Sequence, residues 1–311
     1  MPVIYSYPMA FVYALVCILG WGAWMALVRD IKSQNIEGRM LFVTLGNLIF
    51  AAIVFLATGS RLPAAALAFP SGAFWLPFLG GVLWGLGGAF GFRAIDDFGL
   101  ARATSYWSPQ NTVWALIWGA LLFGELSGLS AKVYIELALS LLLIILGIVL
   151  ISVPDTPAKD MAPSAGKKEK FRGFWDILVT GFLWGSYNIP VSASAMPPLA
   201  ASLPMALGMV AVVALLALLD HKPIALNKAS GYPRSLAAGA LWGLANMAVL
   251  LLSVIIGRGP AYAVIQPNLA VSALIGLVIF REQKPGSRNF WRVLAGSLVV
   301  TAGAAVFGLA K

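Results

Sequence analysis

The sequence predicts an all-α integral membrane protein, with ten transmembrane helices arranged as two inverted five-helix repeats. Three observations carry that expectation. Of 311 residues, 60% are hydrophobic and 11% charged, with a mean hydropathy of +0.88; a soluble domain carries about 25% charged residues. The apolar residues fall into continuous runs, each near the roughly 20 residues that cross a bilayer as a helix. The tetrapeptide Leu-Trp-Gly-Leu stands at 83–86 and again at 241–244, inside two of those runs.

The runs cover roughly residues 8–28, 40–58, 73–94, 103–123, 132–153, 174–195, 199–219, 235–256, 261–280 and 290–308. Barrel strands would be about 10 residues long and alternating, and in lipid only a helix pairs its backbone within one segment. The first run follows no basic stretch and is too long for a signal peptide, so it reads as a retained membrane helix. The stretch 154–173, PDTPAKDMAPSAGKKEKFRG, mixes proline, small residues and charge, which predicts a flexible cytoplasmic linker. It divides the chain into 1–153 and 174–311, five runs each.

Charge sets the expected orientation. The net charge of +9 would suggest nucleic acid as partner of a soluble protein, but in a membrane protein basic loops determine topology, and no nucleic-acid partner is expected. Loops after odd-numbered runs hold seventeen Lys and Arg; the other side, with both termini, holds Arg61, Lys132, Arg258 and Lys311. The prediction is a multi-pass protein of the cell inner (cytoplasmic) membrane with both termini outside. With one cysteine, Cys17, and one histidine, His221, the chain offers no internal disulfide and no thiolate or imidazole metal cage. No cofactor is expected. An enzyme is not expected either, since intramembrane hydrolysis needs a base beside a nucleophile, or metal ligands, and His221 lies in a loop.

The repeat explains the recurring Trp-Gly. Shifting the second half by 158 positions lays Trp242-Gly243 on Trp84-Gly85 and Pro267 on Pro109; with one residue of slippage Phe280-Arg-Glu282 meets Phe123-Gly-Glu125. A shift of 163 lays Trp184-Gly185 on Trp21-Gly22. Five is odd, so the second half enters the membrane upside down. In such inverted repeats the substrate site lies near the midplane between halves, and one chain can form the pathway without an oligomer. Glycine admits a neighbouring helix, and the indole beside it fills gaps or walls a ligand. Trp75, Trp107, Trp175 and Trp291 fall near run ends and read as interfacial belt residues. Trp21, Trp84, Trp184 and Trp242 lie deeper.

Three stretches, LGWGAWMALVRDIKSQNIEGRMLFVTLGNLIFAAIVF (19–55), AIDDFGLARATSYWSPQNTVWALIWGALLFGE (94–125) and FLWGSYNIPVSASA (182–195), resemble the glucose/ribose porter branch of sugar transporters in the drug/metabolite transporter superfamily. The resemblance spans the chain. It implies a ten-helix inverted repeat and carbohydrate uptake across the inner membrane. The apolar WMALV after the first Trp-Gly departs from it, since many relatives carry Asn or Ser there.

Polar groups within the runs are the candidate site, because a polar group in hydrocarbon faces a partner or a cavity. They are Gln110 and Asn111 beside Pro109, Gln266 and Asn268 around Pro267, Tyr187, Asn188 and Asn246. Ser105, Tyr106 and Ser108 share the Pro109 cluster, and Asn47 reads as packing. Proline frees a backbone carbonyl, and carboxamides donate and accept, which suits hydroxyls. With Trp21, Trp84, Trp184 and Trp242 as stacking walls, the substrate-binding set suits a neutral small solute, a sugar or polyol. An amino acid, ureide or nucleobase is the alternative. A channel fits less well, because no repeated charged or carbonyl-rich pore motif is evident. A coupling proton is a candidate partner, for which Glu136 is the candidate carboxylate; Asp176, at the very start of its run, reads as flanking a helix end. Arg93 is expected to pair with Asp97, one turn on.

Overall fold

The computed structural model describes residues 6–62, 64–69, 72–98, 100–152, 167–280 and 285–309. Twelve α-helices occupy them: α1 (Tyr7–Val28), α2 (Ile36–Ala57), α3 (Trp75–Phe98), α4 (Leu100–Phe123), α5 (Ala131–Ser152), α6 (Lys167–Ser186), α7 (Asn188–Ala193), α8 (Pro198–Leu219), α9 (Gly231–Ile256), α10 (Arg258–Val264), α11 (Pro267–Val278) and α12 (Arg288–Leu309). No strand forms among the described residues beyond one isolated bridge, Ser33 to Leu226. Eight stretches are long and apolar enough to cross a membrane: α1, α2, α3, α5, α8, α9, α10 with α11, and α12. Their outward faces carry Phe11, Ile53, Leu142, Leu218 and Leu298, all exposed. Acyl chains solvate such a surface and water does not.

Helix ends follow local chemistry. Pro8 starts α1, where its missing N–H has no helical partner to lose, and the Asn35 side chain caps α2 by accepting from the Gly38 N–H at 2.8 Å. Two apolar runs read as single helices are interrupted. Pro190 has no N–H for the Ser186 carbonyl, and α6 ends at Ser186 before a turn at Tyr187 leads into α7. Pro267 likewise separates α10 from α11, where the chain tightens into three-residue turns: Gln266 N–H donates to the Ala263 carbonyl at 3.2 Å and Asn268 N–H to that of Ile265 at 3.0 Å. A break at Pro109 does not form; α4 continues through it. One absent donor in a helix of 24 residues leaves every other turn intact.

The linker expectation needs correction at its end. Residues 167–173 belong to α6, because Lys167, Lys168, Glu169 and Lys170 are good helix formers. The rest of the linker, 154–166, lies outside the described residues, as do Arg281, Glu282 and Lys284.

The helices pack in a definite pattern. α5 lies along α12; α1 against α9 and α11; α3 against α6 and α8; α2 against α8 and α9; α4 against α6 and α10. Glycines permit the closest crossings. Gly81 has no room for a Cβ against the Met205 carbonyl, nor Gly239 against that of Val43. Gly208 meets the Phe78 carbonyl, and Gly46 that of Leu236, just as closely. At such positions backbone touches backbone.

Candidate functional site

At the centre of this packing the Trp-Gly helices deliver their indoles to one another. Trp84 and Trp242 are almost fully buried, with ring centroids 4.6 Å apart. Trp21 stacks on Trp242 at 6.2 Å with 21° between planes, and Trp184 stacks on Trp84 at 6.0 Å with the same 21°. α1, α3, α6 and α9 thus meet in a continuous aromatic wall. Offset stacks of this kind add about 0.5–1.5 kcal/mol each beyond the area they bury. The glycine beside each indole admits a neighbour: a Cβ at Gly22 would sit 2.6 Å from Val271 of α11, and one at Gly185 2.6 Å from Trp114 of α4.

Polar groups line one side of the wall. The Tyr187 hydroxyl donates to Asn246 Oδ1 at 2.8 Å, and Asn188 Nδ2 donates to the Tyr262 hydroxyl at 3.0 Å. The Tyr187 ring lies 6.3 Å from Trp242 and the Tyr262 ring 6.2 Å from Trp21. All four polar residues are buried. Asn246 Nδ2 turns to the Met205 sulfur at 3.4 Å, a weak acceptor. Seven helices therefore converge here: α1, α3, α6, α7, α8, α9 and α10.

Other expected site residues are engaged elsewhere. Gln266 Nε2 donates to Thr112 Oγ1 at 2.6 Å and to the Tyr262 carbonyl at 3.1 Å, tying α10 to α4. Asn268 Nδ2 bonds the Ile265 carbonyl at 2.6 Å. With its carboxamide turned so that nitrogen rather than oxygen faces them, Asn111 donates to the carbonyls of Gly181 and Trp107, at 3.0 and 3.1 Å, and Gln110 lies against Gly181. Gln266 and Asn111 thus join helices by hydrogen bonds, Gln110 packs between α4 and α6, and Asn268 bonds within its own turn. Asn47 also joins helices, through Nδ2 to Met209 Sδ at 3.2 Å. Glu136 stands in the second turn of α5, ion-paired with Lys132 at 3.6 Å. The side chains of Ser105, Tyr106, Ser108 and Asp97 lie outside the described residues.

Trp107 departs from its expected place, and Arg93 and Tyr262 make contacts that the sequence does not give; the expected Arg93–Asp97 pair lies outside the described side chains. Arg93 pairs across to α6, through Asp176 at 3.3 Å. Trp107 is not a belt residue: α4 begins at Leu100, so Trp107 is buried two turns in, edge-on to Trp184 at 5.3 Å. Tyr262 was not singled out at all, although it stands four residues before Gln266 and so on the same helical face.

The two ends of the bundle differ. At one, the α1–α2 and α8–α9 connections are bound together. Lys32 N–H donates to Asn227 Oδ1 at 3.0 Å, and Asn227 N–H returns a bond to the Lys32 carbonyl at 2.9 Å. Asn35 Nδ2 donates to the Ala217 and Lys222 carbonyls at 2.9 and 3.2 Å. Asp30 accepts from both Lys228 and Arg234, which hold its carboxyl well below the usual carboxylate range, Arg234 contributing most. At the other end two cavities open, of about 420 and about 360 Å3. The segment 195–197 borders both. Arg61 and Thr58 stand across the larger, Leu250 and Val191 in the smaller. Leu250 is one turn beyond Asn246, and Val191 one turn beyond Asn188, so the smaller cavity lies next to the tyrosine–asparagine group.

A polytopic helical membrane protein with a polar, aromatic-walled centre is the architecture of a small-molecule transporter. The chain belongs to the sugar transport protein family, whose model matches residues 12–310. It is 26% identical over 303 residues to a Bacillus anthracis protein provisionally named as a sugar uptake protein, covering 97% of this chain and all of that one. It is 27% identical over 300 residues to the glucose uptake protein GlcU of Bacillus subtilis, covering 96% and 97% of the two chains. A crystal structure 19% identical in sequence shares the fold, with a TM-score of 0.71 over 97% of this chain and 99% of the other.

Proposed function

We propose that the chain carries a neutral sugar or polyol across the cytoplasmic membrane by alternating access, through ten spans in two inverted halves. In this reading α6 with α7 is one span and α10 with α11 another. The observation that carries it is an exchange symmetry in the contacts. Trading α1 for α6–α7, α2 for α8, α3 for α9, α4 for α10–α11 and α5 for α12 turns every major packing pair into another observed pair. It turns the Trp21–Trp242 stack into the Trp184–Trp84 stack. It turns the Gly81–Met205 crossing into Gly239–Val43, and Gly208–Phe78 into Gly46–Leu236. A shared site between two such halves can be exposed to either side by rocking one against the other.

The symmetry also relates the two ends. The bound α1–α2 and α8–α9 connections exchange with the α7–α8 and α2–α3 connections, which flank the larger cavity. One pair is shut where its counterpart stands open, as alternating access requires. The shut end carries the basic loops and is the cytoplasmic side by the positive-inside rule, so the cavities face outward and both termini lie outside. The solute sits among Trp21, Trp84, Trp184, Trp242, Tyr187, Asn188 and Asn246, with Tyr262 added. Gln110, Asn111, Gln266 and Asn268 frame it. The family membership and the names of its relatives support a sugar.

Reconstituted vesicles test the reading. Saturable uptake of radiolabelled D-glucose, competed by other sugars and polyols, is expected. Competition by nucleobases, ureides or amino acids with none by sugars would replace this solute class by the other.

A further inference from the structure

The two halves match in their stacked indoles but differ in what the indole N–H groups do. Trp184 Nε1 donates to the Trp84 carbonyl at 3.0 Å. Its counterpart, Trp21 Nε1, is buried and has no acceptor among the described residues, although Trp21 stacks on Trp242 with nearly the same geometry. A second buried atom is also unmet. Asn188 is 6% exposed, its Nδ2 engages Tyr262, and its Oδ1 accepts nothing among the described residues. Both unmet atoms belong to residues that border Tyr262, one by ring contact and one by hydrogen bond. Buried polar atoms are satisfied in the great majority of native structures, and exceptions call for a function or an unseen partner. One atom is an obligate donor and the other an acceptor. A hydroxyl completes such a pair, taking the indole hydrogen on its oxygen and giving its own hydrogen to the carboxamide.

We propose that Trp21 Nε1 and Asn188 Oδ1 together read one hydroxyl of the carried solute, with Tyr262 as the positioning residue between them. This rests on the carrier reading above and adds to it a stereochemical selector supplied by α1 and α7. The smaller cavity, one turn beyond Asn188 and Asn246, gives the solute its approach. Because the counterpart Trp184 already has a backbone partner, the selector sits in one half alone, and the solute is held in one orientation although the wall is symmetric.

Equilibrium binding to the purified full-length protein by calorimetry tests this, using D-glucose and its monodeoxy analogues, each lacking one hydroxyl. Trp21→Phe keeps an aromatic ring and removes the N–H. It is expected to weaken D-glucose about tenfold, while one monodeoxyglucose binds wild type and variant alike, because the hydroxyl that Trp21 reads is already missing. Asn188→Leu offers the same cycle from the acceptor side and should single out the same analogue. Trp184→Phe is the comparison: its lost N–H is structural, so every analogue should weaken by a common factor and thermal stability should fall. If Trp21→Phe leaves D-glucose binding unchanged, or weakens all analogues equally, the selector is overturned while the carrier reading stands. Failure of wild type to bind any sugar overturns the carrier reading and this one with it.

Discussion

Asp30, just past the end of α1, and Arg234, in the first turn of α9, join across the two halves by two hydrogen bonds, with Lys228 on the same carboxylate. They bracket the backbone bridge between Lys32 and Asn227 and the buried side chain of Ile31. If this is the cytoplasmic latch, Asp30→Asn will loosen it. A water-soluble maleimide should modify Ile31→Cys several-fold faster in the Asp30→Asn background, and Asp30→Arg combined with Arg234→Asp should restore the slow rate. The pairs are exposed, so added salt should speed labelling as well. The pH dependence follows from the lowered Asp30 pKa. A carboxylate held below its unfolded value contributes fully above that value, about 3.9, and loses the contribution as pH falls through the lower one. After correction for thiol ionisation, labelling should be flat from about pH 8 to about pH 5 and rise in stronger acid. An equal rate in wild type and Asp30→Asn would remove Asp30 from the latch.

The glycine crossings predict paired penalties. A Cβ at Gly81 meets the Met205 carbonyl and one at Gly239 meets that of Val43. These obstacles are backbone and cannot rotate away, so helix axes must part. Gly81→Ala and Gly239→Ala should each destabilise by about 1–3 kcal/mol or more, the usual cost of overpacking, and by similar amounts in each half. Thermal unfolding in detergent reads this. A large loss for one with none for the other would break the symmetry on which the carrier reading leans.

Much of this was legible beforehand. Hydropathy marked nearly every helix because the bilayer imposes length and composition together, and the Trp-Gly spacing placed Trp21, Trp84, Trp184 and Trp242 in one cluster. Periodicity could not separate Pro109, which α4 tolerates, from Pro190 and Pro267, beside which helices stop; that depends on whether neighbouring groups take up the released carbonyls, as Gln266 does for Tyr262. Nor could composition tell an amide that binds a neighbouring helix, such as Asn111, from one with an open atom, such as Asn188. That difference lies in tertiary partners. Trp107 reads as a belt residue from hydropathy alone because the apolar run begins at 103, three residues after α4 does.

Glu125 answers a need created by Gly257. The chain enters α10 through Gly257 at φ 93°, a left-handed conformation suited to glycine, and the first N–H groups of α10 have no helical acceptors. Glu125 reaches from beyond α4 to take both, Oε1 from the Arg258 N–H at 2.6 Å and Oε2 from the Gly259 N–H at 2.9 Å. The Arg258 guanidinium adds a 3.5 Å contact and lies 3.8 Å over the Phe123 ring. Glu125→Ala leaves these donors buried and unmet, for a loss of about 2 kcal/mol. Glu125→Gln keeps one acceptor and should lose about half as much. The reading is thermal unfolding of the purified protein, and unchanged stability in both variants would show that water caps α10 equally well.

Glu136 is the remaining test of coupling. It sits near the start of α5, on the outward side in this orientation, ion-paired with Lys132 one turn before it. It lies on a helix that contributes nothing to the indole wall, and its side chain is about one-third exposed at 31%. A carboxylate that carries the coupling proton must face both sides in turn and lose its charge during the cycle. A surface i,i+4 pair is worth only about 0.3–0.5 kcal/mol, so Glu136 could release Lys132 at little cost, but its distance in the fold from the tryptophans argues for a structural pair. Glu136→Gln should therefore leave both the rate of D-glucose uptake and its response to an imposed pH gradient within about twofold of wild type, since about 0.4 kcal/mol corresponds to a factor near two. Should the variant instead transport D-glucose down its gradient while ignoring the pH gradient that drives wild type, Glu136 is the coupling site, and the proton path runs along α5 and not through the centre.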